Sequence, residues 1–149
     1  MTPSWIQYEG EEDSGSRRIL SRDHFFNLLD LEVKRARRYQ NFFSILVMKL
    51  RELSGHDNVA HPSSCYQKLI HFLGKEMRES DIVGILNDNS IAAILPYGDS
   101  MCGENAKSRF DRSLKYFDFP KEGYEINVDQ ICFPTDSTNT PDLIKRMMT

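Results

Sequence analysis

From Ser21 onward the chain switches repeatedly between two hydrophobic periods. Phe25, Leu28, Leu29, Val33 and Ala36 recur at three- and four-residue steps while Lys34, Arg35, Arg37 and Arg38 fall between them, which predicts an amphipathic helix with Ser21 as N-cap. Residues 42–50, nearly all apolar and rich in β-formers, read as a central strand. Residues 51–64 hold Gly55, Asp57, Asn58 and Pro62 without a period and read as a loop. Tyr66, Leu69, Ile70, Leu73 and Met77 mark the inner face of a second helix that should end near Ser80. Two short apolar runs, 82–86 and 91–95, flank Asn87-Asp88-Asn89-Ser90, residues that tolerate tight-turn backbone, and predict a β-hairpin. Pro96-Tyr97-Gly98-Asp99 breaks the second of these strands, and Ala106, Phe110, Leu114 and Phe117 mark a third helix. Residues 124–133 read as the last strand and 141–148 as a short helix with Pro141 in its first turn. The order helix, strand, helix, hairpin, helix, strand, helix predicts a layered α+β fold, an α/β sandwich.

Composition narrows the function classes. With 149 residues, 40% of them hydrophobic, the chain can bury one core, and one domain over residues 19–149 is expected. Residues 1–18 include Glu9, Glu11, Glu12 and Asp13 among glycines and serines, and read as a flexible acidic tail. A net charge of −3 provides no overall positive field, so no nucleic acid and no membrane surface is expected as partner. The three cysteines, Cys65, Cys102 and Cys132, lie far apart with no C-x-x-C pair and read as reduced core residues of a cytoplasmic protein. No run approaches the ~18 apolar residues of a membrane-spanning helix.

Several constellations carry no further chemistry. Lys34, Arg35, Arg37 and Arg38 are the wet face of an amphipathic helix. His56, Asp57, His61, Cys65 and His71 do not fall at zinc-site spacing, and no metal or other cofactor is expected. Ser54, His56 and Cys65 lack any local signature of a nucleophile.

At the hairpin the chain resembles a known family. Arg78-Glu79-Ser80-Asp81-Ile82-Val83-Gly84-Ile85-Leu86, then Asn87-Asp88-Asn89-Ser90-Ile91, then Ala92-Ala93-Ile94-Leu95-Pro96 align without gaps to the R-x-x-D-x-v-x-R-x-GGDEF-a-x-x-L-P stretch of GGDEF domains, the diguanylate cyclases. Ser21-Arg22-Asp23-His24-Phe25 stands at the family's N-R-x-x-F, and the segment from Glu32 to Tyr39 at its E-x-x-R-A-x-R-y. Phe133-Pro134-Thr135-Asp136 matches near its end. The resemblance implies a palm-like domain, a central, mostly antiparallel sheet flanked by helices.

The same resemblance implies lost catalysis. Active members use two signature glycines to bring backbone close to the nucleotide phosphates, and Asn87 and Asp88 stand there. Their magnesium is held by a signature carboxylate and an aspartate on the first strand, where this chain has Asn89, Ser90 and Lys49. The guanine-binding loop is altered too, with Pro62-Ser63 in place of Gly-Asp. What survives is R-x-x-D, Arg78 and Asp81, which resembles the family's inhibitory site for cyclic di-GMP, with Arg109 at the place of a second arginine. Arginine forks bind phosphate or a guanine edge, and a carboxylate accepts from guanine N–H groups. The alternative for this pair is local: Arg78 closing a helix and Asp81 pairing with it at the start of a strand. The expectation is a non-catalytic regulatory domain in bacterial second-messenger signalling that receives cyclic di-GMP at Arg78, Asp81 and Arg109. Its rival is a protein-interaction or self-association module that binds no nucleotide.

Overall fold

The computed structural model describes residues 19–53, 62–115 and 119–149. The acidic tail, His56, His61 and Phe117 lie outside the described residues. The elements are β1 (Ile19–Leu20), α1 (Arg22–Tyr39), β2 (Phe43–Glu52), α2 (Pro62–Glu76), β3 (Ile82–Asn87), β4 (Ser90–Pro96), α3 (Ser100–Leu114), β5 (Tyr124–Phe133) and α4 (Thr140–Met148), with a 3-10 turn at Phe119–Glu122. The sheet runs β1-β3-β4-β2-β5. Among the described residues only β1 and β3 pair in parallel, and the other three pairings are antiparallel, so the fold is the mostly antiparallel α+β sandwich expected.

Alternation along β2 separates two cores. Leu46, Met48 and Leu50 face α2 and α3, packing with Leu69, Phe72, Leu73, Phe110 and Leu114. Phe43, Ile45 and Val47 face α1 and α4, packing with Phe25, Leu29, Val33, Leu143 and Met147. Because both faces of β2 are covered, its sequence is a nearly unbroken apolar run rather than an alternating one. Phe43 pairs in register with Phe133, and their rings stack at 5.0 Å.

Four boundaries differ from the expectation. β2 continues through Glu52, carried by its pairing with β5, where Arg51 meets Glu125 across the strands. The helix α2 begins at Pro62 and ends at Glu76, not near Ser80, because residues 78–81 close a turn of their own. The helix α3 begins at Ser100, six residues before the first periodic apolar position: Asp99 caps it by accepting from Cys102 N at 2.8 Å. Strand β1 was not foreseen at all. Of the cysteines, Cys132 is buried as expected, whereas Cys102 is half-buried, and the side chain of Cys65 lies outside the described ones.

The wet face of α1 is not wholly wet. Glu32 is buried, and Arg35 bonds its carboxylate while lying 4.2 Å from the centre of the Tyr97 ring. That bond raises the Arg35 pKa above the ordinary arginine value.

Helix α4 is tied to α1 by Thr140, whose hydroxyl donates to Asp30 Oδ1 at 2.8 Å, and by Arg37, which donates to the Thr138 carbonyl. Hydrogen bonds from Lys34 and then Thr140 hold the Asp30 carboxyl below its ordinary value. A depressed carboxyl contributes stability above its unfolded value, and that contribution is lost as pH falls through the folded one. Asp30→Asn should therefore flatten the fall of melting temperature below about pH 4. Circular-dichroism melts across pH 2.5–7 check this, and an unchanged acid limb refutes it.

Candidate functional site

Of the three residues singled out in the sequence, Arg78 and Asp81 pair with each other between α2 and β3, and Arg109 pairs with the last residue of α2. Asp81, the residue before β3, has a side chain only 3% exposed. Its Oδ2 accepts from the backbone N of Arg78 at 2.9 Å, and its own N donates to the Arg78 carbonyl at 3.0 Å. The guanidinium of Arg78 lies 3.6 Å from Oδ1 with its side chain 60% exposed. The pair therefore does form the local turn that was the alternative reading. It also leaves one guanidinium facing solvent beside a fixed carboxylate.

Arg109 reaches the end of α2 from α3. Helices α2 and α3 pack through Phe72 and Phe110, whose rings meet edge to face at 5.5 Å. Glu76 lies one turn beyond Phe72 on α2, so the same packing sets it against Arg109 and Ser113 of α3. Arg109 Nε is 3.4 Å from Glu76 Oε2, its terminal nitrogen donates to the Glu76 carbonyl at 3.5 Å, and Ser113 donates to Oε1 at 3.5 Å. The segment from the end of α2 to the start of β3 thus carries two ion pairs with half-exposed guanidiniums, Arg109 with Glu76 and Arg78 with Asp81. Glu76 was missed in the sequence, although its spacing from Leu69, Phe72 and Leu73 extends the inner face of α2 by one more turn.

The signature position lies at the other end of β3, six residues away and so roughly 20 Å distant. Asn87 and Ser90 close a two-residue turn over Asp88 and Asn89. Asn87 Oδ1 accepts from Asn89 N at 3.0 Å and from Ser90 Oγ at 2.9 Å, and the Asn89 carbonyl accepts from Leu50 N at 2.7 Å. Ile91 is buried in the core. Lys49 pairs in register with Ser90 on one side and Asn127 on the other, and its ammonium donates to the Thr149 carbonyl. Carboxylates are what a magnesium ion requires, and the residues in register at this point are a lysine, a serine and an asparagine. They do not fit the metal of an active cyclase. Among the described residues no three His, Cys, Asp or Glu side chains lie together as a metal site, and no helix is long and apolar enough to cross a membrane.

The architecture is that of the GGDEF domains. The chain superimposes on the DGC protein from Thermotoga maritima with TM-score 0.75 at 18% identity, covering 91% of this chain and 97% of that one. The FimX GGDEF domain from Pseudomonas aeruginosa gives TM-score 0.73 at 13% identity, covering 94% and 90%. The GGDEF domain of DgcB from Caulobacter crescentus, solved in complex with c-di-GMP, gives 0.61 at 10% identity, covering 96% and 88%. No protein-family model and no curated protein matches the sequence. At these identities the likeness establishes the fold, which is GGDEF-like.

Proposed function

We propose that this chain is a non-catalytic signalling domain that receives cyclic di-GMP at Arg78, Asp81 and Arg109. The observation that carries the reading is the contrast between the two ends of β3. At one end the residues an active cyclase needs for metal and phosphate are replaced by Lys49, Asn87, Asp88, Asn89 and Ser90, with Asn87 bonding Asn89 and Ser90 across the turn. At the other, the half-exposed guanidinium of Arg78 lies beside the buried Asp81 carboxylate, and the half-exposed guanidinium of Arg109 lies at the end of α2 against Glu76. A dinucleotide carries two phosphates for the first kind of group and guanine N–H donors for the second. The c-di-GMP complex of the DgcB domain supports the choice of ligand.

Calorimetry with cyclic di-GMP tests it. The wild type should give saturable heat, and Arg78→Ala should weaken binding about 10- to 100-fold, the loss of one charge-assisted hydrogen-bonding partner. The Arg78 backbone N–H still bonds Asp81 in that variant, so the turn survives and the loss is attributable to the ligand. No heat from the wild type at high protein concentration refutes the proposal. The second reading, a protein-interaction module, draws on exposed Tyr97, Phe42 and Met101, the last two lining an open cavity of about 430 Å³. Its mark is a molecular mass that rises with concentration, without nucleotide binding.

A further inference from the structure

We propose that Glu76 is a built-in competitor for the dinucleotide phosphate, an internal anion that occupies Arg109 in the free protein and sets the affinity of the site. The inference rests on the reading that Arg78, Asp81 and Arg109 receive a cyclic dinucleotide. It adds a residue and a direction of effect that this reading does not contain.

Three observations carry it. The Glu76 carboxylate and the Glu76 carbonyl both face the Arg109 guanidinium, at 3.4 and 3.5 Å, so the cation is engaged before any ligand arrives. Ser113, one turn along α3, donates to the other carboxylate oxygen and holds it in that direction. The contact is nonetheless loose and partly wet, with the Arg109 side chain 50% exposed and that of Glu76 26%. An ion pair of this kind is weak and salt-sensitive, so a phosphate can displace it. Displacement leaves a carboxylate beside the incoming anion. Two guanidiniums balanced by Glu76 and Asp81 present no net charge, and neutralising Glu76 gives the site one net positive charge.

Glu76→Gln keeps the shape of the side chain and removes the competition. Cyclic di-GMP titrated into this variant should bind about 3- to 10-fold tighter than into the wild type in low salt. The gain should shrink toward unity in 1 M salt, where the Debye length is about 3 Å. In an Arg109→Ala background the Glu76→Gln change should bring little or no gain, because the competition runs through that guanidinium. Equal affinities for wild type and Glu76→Gln, weaker binding by the variant, or a gain that persists undiminished without Arg109 would each overturn the proposal while leaving cyclic di-GMP as ligand. No saturable heat from any of the four proteins would instead remove the ligand assignment and this inference together.

Discussion

Gly84→Ala is expected to cost about 3 kcal/mol or more and to lower the melting temperature by about 10 °C, the signature of overpacking in a filled core. Gly84 lies in β3, in register with Leu20 of β1 and Ala92 of β4, under the first turn of α1. A Cβ there would stand 2.4 Å from Phe25 Cδ1, 2.5 Å from Cγ and 2.6 Å from its Cβ. These atoms form the root of a fully buried side chain rather than a flexible tip, so relief requires moving the helix. Phe25→Leu in the Gly84→Ala background should recover part of the loss, making the two changes less costly together than their sum by about 1 kcal/mol. Urea and thermal unfolding measure this. A Gly84→Ala protein that melts with the wild type would show that α1 does not press on the sheet at this point.

This contact explains how far the fold could be read from the sequence. The residues at the family's N-R-x-x-F, ending in Phe25, and the glycine two residues into β3 look unrelated in the chain, and the fold makes them one packing unit. Strand β5 and helix α4 were legible to within a residue because Gly123, Pro134 and Pro141 punctuate them and their apolar positions keep period. Strand β1 was illegible because two residues hold no period, and only pairing with Val83 and Gly84 makes Ile19 and Leu20 a strand. The end of α2 was misplaced because a continuing apolar stripe says nothing about the Asp81 side chain, which captures the Arg78 N–H in place of another helical turn. Asp99 was read only as part of a break, although the break ends in the residue that caps α3.

The local pairing of Arg78 with Asp81 was legible because it rests on spacing within one segment. The candidate site was less legible where it depends on packing between segments. Arg109 was placed by resemblance, and its neighbour Glu76 follows only once Phe72 meets Phe110. Glu32 is a similar case: a carboxylate on the buried face of α1 contradicts a hydrophobic stripe until Arg35 is seen to bond it.

Restoring carboxylates at the other end of β3 gives the second large effect. Lys49 and Ser90 are cross-strand partners on the α1 and α4 face of the sheet, and Ser90 is 2% exposed. In Ser90→Glu alone the new carboxylate faces the Lys49 ammonium and finds a partner. In the double variant Lys49→Asp, Ser90→Glu, a carboxylate at buried position 90 faces a second one at half-buried position 49, and an uncompensated buried charge costs about 3–5 kcal/mol. Without divalent ions this variant should therefore melt roughly 10 °C below the wild type. Magnesium in the millimolar range should restore much of that loss, because an ion that binds only the folded state stabilises it by mass action. The wild type, with an ammonium in place of an oxygen ligand, should melt at the same temperature with magnesium or with a chelator, and should not turn over GTP. Magnesium-dependent stabilisation of the wild type, or cyclic di-GMP formed from GTP by it, would overturn the non-catalytic proposal.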